Sequence, residues 1–251
     1  LCHSGRQRAE NLAHYATLGH ALWQSSAPAV FLLNETDDFA QVELAIGLGF
    51  NAVMVDNERL EIGPYRRLVN RVVRLGHDAG VSVEAAVGRL ACPHWDGNVG
   101  LTDPEVARRF AQETGIDALG VAVGNIHILT SGKATIQLDS LARIHEAVDL
   151  PLVLHGGTGI PLKLAPQFPR LGVRKINFGT ILKQAYLKAI QKKLAYYHEP
   201  MNPHPFIGMG GPKDALVAGR EAVKQKVVEL LRASGSAGKA RRFPHPKENA
   251  K

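Results

Sequence analysis

Six short apolar runs rich in β-branched residues recur along the chain, each followed by a longer segment of helical period, and this alternation restricts the fold to parallel βα units. The runs cover residues 29–33, 52–55, 81–84, 119–123, 152–154 and 174–177. A helix after each strand carries the chain back across the sheet, so successive strands must pair in parallel. Residues 64–79 place Leu68, Val69, Val72, Val73 and Leu75 on one side and Arg66, Arg67, Asn70, Arg71 and Arg74 on the other. That is the stripe of a helix laid on a sheet. Asp103-Pro104-Glu105 supplies an N-cap followed by proline at the first helical position, and Gly115 ends that helix. A terminal helix is expected over about 212–233.

A chain of 251 residues, 45% of them hydrophobic, suits one α/β barrel. The expected organisation is a single barrel domain over 1–240 and a basic tail over 241–251. Six strands fall short of the eight of a closed (β/α)8 TIM barrel. The first residue is Leu, and Leu1-Cys2-His3 reads as the end of a second strand, so the expectation is a barrel lacking its first strand in this chain. Cys2 and Cys92 form no C-x-x-C pair, which points to a reducing, cytoplasmic setting. No apolar run reaches eighteen residues and no signal-peptide core is present, so no membrane partner is expected. Part of the net charge of +7 lies in the stretch 239–247, and no basic-aromatic alternation of the kind that stacks bases accompanies it. The basic balance therefore points to an anionic small substrate and no nucleic acid.

In a barrel of this kind functional groups stand just past the C-terminal ends of the strands. The run 152–154 leads into His155-Gly156-Gly157-Thr158-Gly159, where glycines let backbone N–H groups approach an anion and His155 can hold a metal. The run 119–123 leads into Gly124-Asn125-Ile126-His127. The run 174–177 ends in Asn177-Phe178-Gly179-Thr180 before a long helix, whose first N–H groups and Thr180 hydroxyl suit a phosphate. Taken singly, each histidine could be structural and each glycine cluster a tight turn. Their recurrence at consecutive strand ends argues for a site.

These segments resemble the class II, metal-dependent aldolases, in particular the fructose- and tagatose-bisphosphate branch. The resemblance adds Gly49-Phe50-Asn51-Ala52-Val53-Met54-Val55-Asp56, the stretch 79–85 and the terminal stretch 235–240 to the three strand-end segments. It implies that His127 and His155 are metal ligands. It implies that Gly156, Gly157, Thr158, Asn177, Gly179 and Thr180 surround the phosphate of a dihydroxyacetone-phosphate unit, with Thr158 keeping the hydroxyl of the family's Ser. It further implies a divalent metal, zinc or another, with a monovalent cation beside it, a phosphorylated sugar as substrate and a homodimer or homotetramer. In such enzymes the metal acts as a Lewis acid on the ketone and an aspartate handles the proton of the departing aldehyde's hydroxyl.

The departures concentrate where that chemistry occurs. The family's Asp-His pair, acid/base and first metal ligand, is Asn34-Glu35 here, and Asn34 cannot exchange a proton at neutral pH. The second carboxylate of Val-Glu-Ala-Glu-Leu-Gly has become Ala86, the Gly-Ser after the strand aspartate is Asn57-Glu58, and the Gly after the metal His is Ile128. Glu35 with His127 and His155 makes a two-His, one-carboxylate set, which suits zinc with an open position and equally ferrous iron. In the alternative, Glu35 faces solvent or pairs with an arginine. Asp56, Glu58 and Glu84 are the carboxylates available to replace the lost aspartate. The expected function is a class II aldolase-like lyase acting on a ketose phosphate. The alternatives are a catalytically silent sugar-phosphate binder and a changed reaction at the same site.

Overall fold

The computed structural model describes residues 2–4, 11–23, 29–55, 60–90 and 100–240. Seven strands, β1 (Cys2–Ser4), β2 (Leu32–Thr36), β3 (Ala52–Val55), β4 (Ser82–Val87), β5 (Ala118–Val121), β6 (Leu152–Leu154) and β7 (Val173–Ile176), form one sheet. Every pairing is parallel and the spatial order is the sequence order. Helices α1 (Asn11–Trp23), α2 (Phe39–Gly47), α3 (Ile62–Asp78), α4 (Pro104–Thr114) and α5 (Leu138–Ala147) form successive crossovers. Between β6 and β7 the crossover is a 3-10 helix, Leu162–Leu171, because Pro166 and Pro169 inside it lack the N–H donors of an α-helix. Helices α6 (Thr180–Leu194) and α7 (Ala215–Ala233) follow β7 and pack on each other.

The sheet is strongly curled, which side-chain contacts establish directly. Neighbouring strands lie about 4.8 Å apart, so a flat sheet would hold β4 and β7 roughly 14 Å apart, and β2 and β6 roughly 19 Å apart. Yet Lys175 Nζ of β7 is 2.5 Å from Glu84 Oε2 of β4, and Glu35 Oε1 of β2 is 3.4 Å from His155 Nδ1, just past β6. The chain is thus an α/β protein with a partial (β/α) barrel. The strands' outer face, with Leu33, Val53, Val55, Val83, Ala85 and Val87, packs against helices in the main core. The inner face carries a small apolar cluster, Leu32, Ala52 and Met54 with Ala86 against it.

The strand 2 boundaries differ from the sequence expectation. The run 29–33 was expected, whereas β2 covers Leu32–Thr36 and continues into polar residues. Inside a barrel mouth an Asn-Glu-Thr ending is compatible with a strand, and Asn34 and Thr36 are in fact buried. Leu33 pairs with Val53 and Thr36 with Val55, so β2 has one residue more than β3 between those partners. Such a bulge re-aims a side chain. Glu35 lies in it with a φ of 57°. The start of the chain does form a strand, β1, paired to β2, as expected for residues 1–3.

Helix α3 follows the expected stripe, burying Val69, Val72 and Val73. Helix α7 begins at Ala215, three residues later than expected, where the Asp214 carboxylate accepts from the N–H groups of Leu216 and Val217. The tail 241–251 and Cys92 lie outside the described residues. Among the described residues no helix is long and apolar enough to cross a membrane.

Helix α4 matches its punctuation. Asp103 Oδ1 accepts from the N–H groups of Glu105 and Val106, and Gly115 closes the helix in the left-handed conformation at φ 67°. Asp103→Ala should therefore lower stability by about 1 kcal/mol in urea denaturation. A change below about 0.3 kcal/mol would contradict this role of the cap.

Candidate active site

At the C-terminal rim of the sheet, Glu35, His127 and His155 each offer one ligand atom within 4.8 Å of the others. Glu35 Oε1 lies 3.2 Å from His127 Nε2 and 3.4 Å from His155 Nδ1. A zinc-type ion about 2.0–2.1 Å from each donor in tetrahedral geometry separates its ligands by about 3.3–3.4 Å, so the donor set fits a divalent ion. The two imidazoles lie 6.3 Å apart between ring centroids, inclined at 79°. Glu35 thus does not face open solvent, and among the described residues it pairs with no arginine; its side chain is 13% exposed and faces two imidazoles.

Each member is held by its local fold. The bulge in β2 turns Glu35 inward. Gly124, at φ 93°, lies so close to the chain that a Cβ there would be 2.2 Å from Thr135 O, which is why glycine begins the turn to His127. Asn125 is buried and donates from Nδ2 to Val121 O at 3.2 Å and His155 O at 2.9 Å, while its Oδ1 accepts from Val123 N–H. This side chain ties the β5 end to the β6 end, bringing both histidines to one corner.

His155 is further fixed by Glu84, whose Oε1 is 2.9 Å from His155 Nε2, and Glu84 is itself paired with Lys175. With a metal bound, a proton kept on Nε2 and donated to Glu84 would leave the Nδ1 lone pair for the ion, the arrangement that orients an imidazole for metal binding. Asn177 Nδ2 lies 3.2 Å from His155 Nδ1 and 3.3 Å from Nε2. The charges are mutually stabilised. Burial alone would raise the Glu35 carboxyl, but the hydrogen bonds and charges of His127 and His155 hold it well below the usual carboxylate range. Burial would likewise raise Glu84, and His155 and Lys175 lower it instead. Burial would lower His155, and the two carboxylates raise it.

Beside this corner the expected phosphate segments converge. Gly156, at φ 67°, passes so near the His127 turn that a Cβ would lie 2.2 Å from Ile126 O. Thr158 Oγ1 accepts from Ile181 N–H at 3.0 Å, joining the glycine turn to the first turn of α6. Gly179 is the N-cap of that helix and has no side chain of its own to accept from the first turn. Gly157 N–H donates to Asn177 O at 2.9 Å, and a Cβ would meet that same oxygen at 2.8 Å. Its glycine is required by the close approach of β6 and β7.

Asn34 lies one residue before Glu35, is 7% exposed, and its Oδ1 finds no hydrogen-bond donor among the described residues. Ala86 lines the inner apolar cluster. Asp56 and Glu58 lie outside the described residues. The role of Lys175 escaped sequence reasoning: it stands beside Arg174 in a four-residue strand, Val173–Ile176, and nothing local distinguishes the inward cation from the exposed one.

The paired charges imply a pH dependence for chelator-treated protein. Glu35, with its folded pKa depressed, contributes stability that is present above its unfolded value of about 4.3 and is lost as pH falls toward the folded value. His155, with its folded pKa raised, contributes stability that is full below about 6.5 and is lost as pH rises through the folded value. Urea denaturation should therefore give a maximum between those limits, and Glu35→Gln should lose most relative to wild type within that window. A pH-independent difference between the two proteins would contradict the pairing.

Comparison with known proteins agrees with this geometry. The family pattern "Fructose-bisphosphate aldolase class-II" matches residues 2–239. A fructose-bisphosphate aldolase of Geobacillus stearothermophilus is 33% identical over 218 residues, spanning 86% of this chain and 73% of that protein. The crystal structure of the YdjI aldolase from Escherichia coli K12 superposes with a TM-score of 0.76 at 26% identity, covering 96% of this chain and 83% of the other. The fold alone is shared with a fructose-bisphosphate aldolase of Campylobacter jejuni, at TM-score 0.69 and 16% identity over 91% of this chain and 76% of that one. The chain belongs to the class II fructose-bisphosphate aldolase family.

Proposed function

We propose that this chain is a divalent-metal-dependent lyase that cleaves or forms a carbon–carbon bond in a ketose phosphate through a dihydroxyacetone-phosphate unit. The observation that carries the reading is the convergence of Glu35, His127 and His155, with Glu84 and Lys175 orienting His155 from behind. In this reading Glu35 Oε1, His127 Nε2 and His155 Nδ1 hold zinc or another divalent ion, and a monovalent cation accompanies the phosphate. The ion supplies Lewis-acid polarisation of the substrate ketone. Gly156, Thr158, Asn177, Gly179 and Thr180 cradle the phosphate at the start of α6, where the helix dipole favours an anion; Gly157 holds the turn in shape.

Asn34 gives the site its individual character. Its Oδ1 is buried with no donor among the described residues, and an amide cannot take a proton at neutral pH. The lyase reading therefore requires the proton of the departing aldehyde's hydroxyl to reach another base. That requirement sustains the second reading, a sugar-phosphate binder without catalytic turnover. We infer the closed (β/α)8 barrel as the parent architecture, a homodimer or homotetramer as the assembly, and the cytoplasm as the location.

Purified protein should release dihydroxyacetone phosphate from a ketose bisphosphate, and a chelator should abolish the release. Binding of the sugar phosphate with no release at full metal loading would favour the silent binder. Glu35→Ala should lower metal affinity at least about 10-fold, because two imidazoles leave an incomplete shell. The double variant Asn34→Asp with Glu35→His should raise aldol cleavage by about 100-fold or more, the usual contribution of a positioned acid/base group. Cleavage falling in the double variant would instead make Asn34-Glu35 a specialisation for another reaction.

A further inference from the structure

On the outer helical layer, away from the barrel mouth, α3 and the end of α4 enclose a cleft of about 450 Å3 lined by Arg67, Asn70, Arg71, Val73, Arg74 and Thr114. Arg67, Arg71 and Arg74 follow at i, i+4 and i+7, so three guanidinium groups share one side of α3. Like charges at this spacing destabilise a helix.

The neighbouring arginines are neutralised. Arg66 pairs with Glu113, and Arg108 and Arg109 pair with Glu105. Among the described residues no carboxylate pairs with Arg67, Arg71 or Arg74. The Arg71 guanidinium lies 3.9 Å over the Phe39 ring, which fixes its plane and leaves its edge donors facing outward from the stack. Val73 is buried beneath, and the Thr114 hydroxyl donates to Phe110 O at 2.7 Å, so the floor is rigid. Helix α4 already has its own C-terminal cap, Gly115 N–H to Ala111 O.

We propose that this cleft is an accessory site for a small ligand bearing at least two phosphate charges. A planar fork of donors matches phosphate oxygens in pairs, which explains three arginines where lysine would equally keep the surface soluble. The volume falls within the range of small-ligand sites. Phe39, the aromatic ring of the patch, is covered by Arg71, so the surface offers no platform for stacking nucleic-acid bases. The site is independent of the metal corner and of the reaction proposed there.

The probe is pyrophosphate, titrated calorimetrically into the full chain at 0.15 M KCl and compared with the Arg67→Gln, Arg71→Gln, Arg74→Gln triple variant. Chelation of any bound metal is common to both proteins and cancels in the comparison. Wild type should bind with a Kd below about 1 mM, and the triple variant at least tenfold more weakly. The lysine triple variant should recover only part of the loss. All three side chains are exposed, so the variants should keep their melting temperature and metal content; if the triple variant does not fold, the three single variants carry the same comparison. Equal binding by wild type and variant, or binding erased by 0.15 M KCl, would overturn the site. Single-stranded RNA bound with an affinity that grows with its length would also overturn it, by showing a general polyanion surface.

Discussion

Glu84, His155 and Lys175 meet in the interior of the curled sheet, where an unpaired ion costs several kcal/mol. The carboxylate satisfies an imidazole on one oxygen and an ammonium on the other. Because these groups come from β4, β7 and the end of β6, their contact also requires the sheet to curl. The barrel's shape and the orientation of His155 are therefore one problem with one solution. Removing Lys175 would leave the buried Glu84 carboxylate with His155 as its one partner among the described residues, a weaker compensation for its burial.

Glu35 extends this cluster across to β2. Its backbone, at φ 57°, occupies a conformation that side chains with a Cβ seldom adopt, and Ile128, directly after His127, does the same at φ 53°. For a β-branched residue this is strained by about 1–3 kcal/mol. Two strained residues flanking one 3.2 Å contact mean that the surrounding fold over-determines the Glu35–His127 pair. The resemblance to class II aldolases places glycine where Ile128 stands. A stabilised, metal-free backbone would be served better by that glycine.

Much of this was legible in the sequence because local signals and tertiary demands agree. The β-branched runs at 52–55 and 152–154 coincide with β3 and β6, and the Asp103-Pro104 and Gly115 punctuation gives the ends of α4. His127 and His155 were marked by their places after strands. The β2 boundary was not legible, since Asn34-Glu35-Thr36 has the polarity of a loop and becomes strand only inside a mouth lined with polar partners. Nor was Lys175, whose partner is 91 residues away and faces it only after the sheet curls. Pairing over such a separation leaves no periodic trace.

The metal site proposed above requires Glu35, His127 and His155 to share one divalent ion. X-ray absorption spectroscopy of zinc-loaded protein measures that shell directly. Nitrogen and oxygen scatterers are expected at about 2.0–2.1 Å with the outer-shell signature of two imidazoles, reduced in the Glu35→Ala protein by one oxygen. A zinc edge showing thiolate sulfur, fewer than two imidazoles, or a shell unchanged by removal of Glu35 would contradict it.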